Sequence, residues 1–210
     1  MYRLYLTQAR WSRERERFSR RCPNRSFGAP PGAKITGVSD ADAINLGLLV
    51  LRCGLGAVMF AHGYNHVFGG GKIAGTGRWF ASMGMRNGRL QAWLASVTEL
   101  AAGVSLVLGF LTPLGAAGVI GVMVVAFAIN HRGNGFFIFR PGEGWEYVMT
   151  LALVAIAVGA IGPGDWSLDD AIGIHDDLMG WPGLLIAVIA GGGGAALLLL
   201  VAWRPQPTTT

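Results

Sequence analysis

Residues 43–63 read AINLGLLVLRCGLGAVMFAHG, an apolar run whose only charged residue, Arg52, stands near its centre. A helix needs about 20 apolar residues to cross the hydrocarbon core of a bilayer. This stretch therefore predicts a transmembrane helix. It starts too far from the N-terminus to be an ordinary cleaved signal peptide, so we expect it to belong to the folded protein.

Similar apolar runs follow along the chain. They predict further spans near residues 90–110, 114–131, 145–161 and 181–203. The link between the second and third spans is very short and contains Pro113, which predicts an antiparallel helical hairpin. The fold class expected is an all-α membrane protein, with a four-helix transmembrane bundle in residues 43–173 plus a fifth C-terminal transmembrane helix at 181–203. Four glycines at 191–194 lie inside this last helix and predict a kink, a close helix contact or a break.

The composition agrees with this class. Charged residues make up 14% of the chain and hydrophobic residues 52%, whereas soluble domains carry about 25% charged residues. A chain with so few charges cannot solvate a globular surface, which excludes a water-soluble enzyme. Two cysteines, Cys22 and Cys53, cannot form a disulfide framework and match no zinc-binding spacing.

Basic residues are concentrated before the first span. Residues 1–38 hold nine of the 17 lysines and arginines and only two acidic residues. Their composition predicts a flexible basic arm, with a surface helix through Leu4, Trp11 and Phe18 as the alternative. We expect the arm to meet anionic lipid, because no nucleic-acid-binding module is visible. Residues 204–210 are predicted to be a short tail.

Alternating spans sort the loops onto two membrane faces. We define face A as the face on which the first span ends and face B as the opposite one. Face A collects histidines and most of the loop charges, and face B collects an acidic loop at 165–177. Face A carries seven lysines and arginines and face B nine, all in the arm, so the two counts conflict. With the distant arm discounted, the positive-inside rule favours a cytoplasmic face A. The polar residues predicted on face A are His62, His66, Lys72, Arg78, Arg86, Arg89, His131, Arg132, Arg140, Glu143 and Glu146.

Two charges are predicted inside the bilayer. Arg52 and Glu99 lie near the centres of the first two spans, so they are expected at a common depth. Because an ionised residue at mid-bilayer costs roughly 3 kcal/mol on insertion scales, pairing would offset much of that cost. We expect an Arg52–Glu99 ion pair, which either locks two helices together or marks a ligand, proton or quinone site.

Histidines and carboxylates gather on face A. His62 and His66 are spaced i, i+4 and share a helix face if the first helix continues past Gly63. With His131, Glu143 and Glu146 they form a set that can relay protons, bind a metal or simply line a water interface. None of them has strict ligand spacing, so no metal site is predicted.

The chain resembles the DoxX family of small bacterial membrane proteins. Three stretches carry the resemblance: RCGLGAVMFAHG at 52–63 followed by Lys72, TELAAGVSLVLGFLTPLGA at 98–116, and GPGDWSLDDAIG at 162–173. His131 and Glu146 stand between the last two. The resemblance covers about residues 44–173, and the arm and the fifth helix lie outside it.

The resemblance implies a four-helix membrane bundle with links to sulfur, thiol and oxidative-stress metabolism. Relatives include the membrane subunit of a thiosulfate:quinone oxidoreductase. We therefore expect a multi-pass protein of the bacterial plasma membrane that serves as a quinone-linked or redox-complex subunit. The sequence contains no flavin, haem-attachment or iron–sulfur motif, so electrons would come from a soluble redox enzyme partner or directly from substrate. The alternative is a non-catalytic anchor or scaffold for such enzymes. Residues carried over by position to a shared polar or quinone site are Arg52, His62, Lys72, Glu99, His131 and Glu146.

Overall fold

The structure is a computed structural model that describes residues 39–205. The predicted basic arm and most of the short tail lie outside the described residues. The described part is helical and contains no β-strand, which agrees with the predicted all-α class. Its helices are α1 (Asp40–Phe68), α2 (Lys72–Ser82), α3 (Gly88–Leu108), α4 (Thr112–Ala126), a π-helix (Phe127–His131), α5 (Glu146–Ile161), α6 (Leu168–Ala171), a 3₁₀ helix (Asp176–Leu178) and α7 (Gly180–Ala202).

Four helical segments are long and apolar enough to cross a membrane. They are α1, α3, α4 with the π-helix, and α7. The fourth predicted span corresponds to α5, which has 16 residues. At 1.5 Å per residue, α5 is about 24 Å long, short of the roughly 30 Å of a hydrocarbon core. Four of the five predicted spans are therefore confirmed as helices long and apolar enough to cross a membrane.

The first helix is longer than its apolar run. It begins at a capping box, in which the Ser39 hydroxyl accepts a bond from the Asp42 N–H at 3.1 Å and the Asp42 carboxylate accepts one from the Ser39 N–H at 3.0 Å. It continues past Gly63 to Phe68. His62 and His66 consequently lie one turn apart on one helix.

Helix α4 is at the centre of the packing. It contacts α3, α5 and α7, while α1 packs mainly against α3. The largest buried apolar cluster follows from this arrangement and includes Leu106, Val119 and Val158, all with no exposed surface. The short amphipathic helix α2 packs against α3 on face A.

Glycines set the spacing of α1 and α3. A Cβ atom on Gly56 would lie 2.7 Å from the carbonyl oxygen of Gly103, and a Cβ on Gly103 would lie 2.8 Å from that of Gly56. The two backbones therefore touch directly. In lipid, association of helices depends on such close approach because apolar surface gains nothing by leaving the lipid tails.

The run at 191–194 forms a close helix contact without a break, since α7 is continuous through it. A Cβ on Gly191 would lie 2.6 Å from the carbonyl oxygen of Ala117 on α4. Added Cβ atoms at the next three glycines would meet nothing within 4 Å.

Replacing Gly56 by alanine should lower stability, because the added methyl group meets the backbone of α3. Overpacking of this kind typically costs about 1–3 kcal/mol. Gly54→Ala is the matched control: it adds the same methyl group on the same helix, where nothing lies within 4 Å. Thermal unfolding in detergent micelles should show a lower midpoint for Gly56→Ala alone. Equal midpoints for the two variants would contradict the close contact.

Candidate functional site

A cavity of about 550 Å³ lies among the helices toward face A. Most of its wall is apolar and comes from α2, α3, α4 and α7. Glycines on α4 and α7 help to make the room, because Gly118, Gly121, Gly191 and Gly194 all line it. The polar groups on its wall are those of His62, His66, Gln91, Thr98, Glu99, Asn130, His131, Glu143 and Tyr147.

The most buried polar contact in this cavity joins α1 and α3. His66 Nδ1 lies 3.2 Å from Glu99 Oε2, with side-chain exposures of 20% and 5%. The approach falls short of hydrogen-bond geometry, and neither atom has a hydrogen-bond partner among residues 39–205. Because buried polar atoms are nearly always paired, this pair has unused capacity to bond a group in the cavity.

Gly63 positions that pair. A Cβ atom there would lie 3.1 Å from the Cβ of Glu99 and 3.0 Å from the carbonyl oxygen of Ser96. The missing side chain lets α1 and α3 approach at this level. His66, less than one turn further along α1, is thereby brought against Glu99.

His131 stands on the π-helix at the edge of the cavity. Its Nδ1 lies 2.9 Å from the carbonyl oxygen of Glu143, and its Nε2 lies 3.3 Å from Nδ2 of Asn130. A carbonyl can only accept, so Nδ1 carries the proton, and Nε2 then accepts from the Asn130 amide. These two bonds fit one tautomer and hold the ring in one orientation. π-Helical turns frequently occur at functional sites.

His62 lies on α1, on the part of the cavity wall that faces Tyr147 of α5. The centroids of its ring and that of Tyr147 are 6.3 Å apart. The His62–His66 spacing thus places two imidazoles on the wall, as the sequence predicts for a helix continuing past Gly63.

Three of the six residues carried over to a shared polar site line the cavity: His62, Glu99 and His131. Arg52, Lys72 and Glu146 do not. Lys72 is exposed at the start of α2, and Glu146 accepts a bond from the Ile138 N–H at 3.2 Å through Oε2.

Sequence reasoning missed four polar residues of the cavity wall: Gln91, Thr98, Asn130 and Tyr147. For Gln91 a signal exists, since it lies eight residues before Glu99 and therefore on the same side of α3.

The predicted Arg52–Glu99 ion pair is wrong. Arg52 is level with Leu106 and Gly109 on α3, whereas Glu99 is level with Gly63. Arg52 and Gly63 are eleven residues apart, which is about 16 Å along a helix. The two side chains differ in depth because α1 extends to Phe68 and the glycine contacts shift its register against α3.

Arg52 is instead fully buried toward face B. Its Nη1 donates to the Leu106 carbonyl at 3.1 Å and its Nη2 to the Trp166 carbonyl at 2.6 Å. Within the described residues it forms no ion pair within 4 Å. The guanidinium thus connects α1, the end of α3 and the 162–171 loop, which is a structural role.

Asp169 completes this connection and was not singled out from the sequence as a structural residue. It is fully buried. Its carboxylate accepts bonds from the Leu111 N–H at 2.6 Å, the Thr112 N–H at 3.0 Å and the Thr112 hydroxyl at 2.9 Å. Leu111 has a positive φ of 49°, so these bonds hold a strained turn at the start of α4.

A separate group of possible metal ligands lies on face B. Oxygen or nitrogen atoms of Asp165, Asp170 and His175 lie within 4.8 Å of one another. Both carboxylates are exposed. His175 Nδ1 is 3.4 Å from Asp170 Oδ1, so these two side chains contact each other directly.

Asp169→Ala should destabilise the fold, because it leaves the Leu111 N–H and the two buried donors of Thr112 without an acceptor. Bonds to charged groups contribute about 1.5–3 kcal/mol, so we expect a loss of at least that order. Asp170→Ala removes an exposed carboxylate from the same short helix and should change stability by less than about 1 kcal/mol. Denaturant titration in micelles distinguishes the two, and similar losses for both would refute the role of Asp169.

Residues 47–132 match the family model described as DoxX. The matched segment begins in α1, ends just after the π-helix and contains the cavity residues His62, His66, Glu99 and His131. The stretch at 162–173, which also resembles the family, lies beyond the match. No curated protein and no solved structure gives a match to this chain. Residues 47–132 thus carry a DoxX domain, and the chain has four helical segments that are long and apolar enough to cross a membrane.

Proposed function

We propose that this protein binds a quinone in the 550 Å³ cavity and serves as the membrane subunit of a redox system in the bacterial plasma membrane. The carrying observation is the buried His66–Glu99 pair, which has unused hydrogen-bonding capacity on an otherwise largely apolar wall. Ligand sites are typically apolar clefts of about 300–1,000 Å³ with a few placed polar groups.

A quinone fits the chemistry of this cavity. Its two ring carbonyls accept hydrogen bonds, and its apolar body suits a wall of Leu94, Val122 and Leu198. His66 or a protonated Glu99 donates to one carbonyl. His131, whose ring is held by two neighbours, stands between this pair and the loop that carries Glu143.

Reduction of a quinone consumes two electrons and two protons, one proton for each carbonyl oxygen. Glu99 and His66 can pass protons to the ring because both groups exchange protons and lie 3.2 Å apart. The electrons come from a reduced sulfur or thiol compound, oxidised by a soluble redox enzyme bound to the membrane protein. Two thiols joined as a disulfide release two electrons and two protons, so the exchange balances.

The proposed function also involves α5, which is shorter than the four helical segments that can cross a membrane. We infer that α5 crosses the membrane as a short fifth span, since it packs against α4 and α7 and carries Tyr147 and Val148 into the cavity wall. With five spans, α7 ends on face A, where Trp203 Nε1 donates to the Met83 carbonyl at 3.0 Å.

A side chain added inside the cavity should block quinone binding. Gly194 lines the cavity and an added Cβ there meets nothing within 4 Å, so Gly194→Leu occupies space without a clash at Cβ. Gly193→Leu is the matched control, because it is equally free of contacts but does not line the cavity. Binding of a short-chain ubiquinone analogue to nanodisc-embedded protein, corrected for empty nanodiscs, should be lost in Gly194→Leu only. Saturable binding that survives in both variants would place the ligand elsewhere, and no saturable binding to the unmodified protein would overturn the proposal.

Removing the acidity of Glu99 should weaken binding and stop proton transfer. We expect Glu99→Gln to reduce quinone affinity several-fold, because an amide N–H is a weaker donor to a quinone carbonyl than a carboxylic acid is, and because it cannot release a proton. Glu146→Gln makes the same chemical change outside the cavity and should stay near the unmodified affinity. The same nanodisc titration measures both variants. An equal effect of the two substitutions would remove Glu99 from the site.

A further inference from the structure

A second pocket, of about 320 Å³, opens on face A outside the cavity. Three parts of the chain form it: the end of α2, the π-helix with the turn after it, and the residues that follow α7. Two of the helical segments that can cross a membrane, Thr112–His131 and Gly180–Ala202, end at this pocket. The pocket therefore lies at the level where these two helices leave the hydrocarbon core of the bilayer.

The walls of this pocket are held by hydrogen bonds. Trp203 Nε1 donates to the Met83 carbonyl at 3.0 Å. Backbone bonds join Arg86 N to Ala202 O and Arg204 N to Gly84 O, both at 2.8 Å. A tryptophan at the end of a span is typical of the headgroup level of a bilayer.

One cation in this pocket is available to a ligand. The Arg132 guanidinium lies 5.9 Å from the centroid of the Trp203 ring. Arg132 is exposed and forms no ion pair within 4 Å in the part of the chain that the structure describes. By contrast, Arg204 Nη1 is bonded to the carbonyls of Leu200 and Trp203.

The surroundings of Arg132 favour a negatively charged ligand. Seven of the eight lysines and arginines among residues 39–205 belong to the segments of face A, and only two carboxylates, Glu143 and Glu146, share that face. These cations raise the local potential for anions. They are Lys72, Arg78, Arg86, Arg89, Arg132, Arg140 and Arg204.

The last turns of α7 beside the pocket are apolar and open. Leu197, Leu200 and Val201 are 64%, 76% and 60% exposed. An occupant with a charged head at Arg132 and a hydrocarbon tail would cover them. Inorganic phosphate would leave them uncovered, which favours a lipid as the source of the anion.

We propose that this pocket binds the phosphate of an anionic membrane phospholipid, with Arg132 as its ion-pairing residue and the acyl chains lying along the end of α7. Arg guanidinium groups bond phosphate oxygens in a bidentate manner, and the Trp203 ring keeps the guanidinium in place. Ile129 and Asn130 line this pocket and the cavity alike. The bound lipid therefore contacts the same π-helix that contains His131.

Lipid preference of the full-length protein tests this site without reference to quinone. Native mass spectrometry of the protein, mixed with equal amounts of phosphatidylglycerol and phosphatidylcholine, counts the lipids that stay bound. We expect the preference for phosphatidylglycerol to fall about fivefold in Arg132→Gln, the contribution of one basic residue at a membrane surface. Arg132→Lys should lose less of it.

Arg140→Gln is the matched control, since Arg140 is an exposed arginine of the same face that does not line the pocket. It should keep the full preference. Equal losses in Arg132→Gln and Arg140→Gln would mean that the face attracts lipid by general charge, which overturns a discrete site, as would the absence of any preference. Displacement of the bound lipid by millimolar inorganic phosphate alone would assign the pocket to free phosphate instead.

Discussion

Direct backbone contact between α1 and α3 determines the positions of the charged groups in this protein. Where Gly56 meets Gly103 and Gly63 meets Ser96, the helices approach more closely than any residue with a side chain would allow. Since lipid provides no hydrophobic driving force between helices, such packing carries much of their association. It also fixes the register of the two helices, which places His66 beside Glu99 and Arg52 beside the carbonyl of Leu106.

The two buried charges of the first two long helices are accommodated in different ways. Arg52 has two backbone carbonyls as acceptors and a loop closed over it, and only its Nε lacks a hydrogen-bond partner among residues 39–205. Glu99 has a histidine beside it and a cavity in front of it. An intramembrane ionisable group that faces a cavity is by default a functional group, whereas one enclosed by carbonyls is explained by its own hydrogen bonds.

Much of the architecture was predictable because apolar length and short links are local features. The spans near 43–63, 90–110, 114–131 and 181–203 follow from such local patterns. The shared wall of His62 and His66 follows once the first helix continues past Gly63, which the apolar run alone did not establish. The Arg52–Glu99 pair was predicted wrongly because depth was judged from the centres of apolar runs, while the actual register depends on which glycines touch. The cavity and the role of Asp169 depend on contacts between distant segments, which periodicity does not reveal.

The wide turn at the end of α4 has a geometric consequence for the cavity. The Arg132 N–H donates to the Phe127 carbonyl, five residues back, so this turn holds one more residue than an α-helical turn does. The same turn carries Ile129 and Asn130, which line both the cavity and the second pocket. A change in the winding at this single turn would therefore reshape both compartments together.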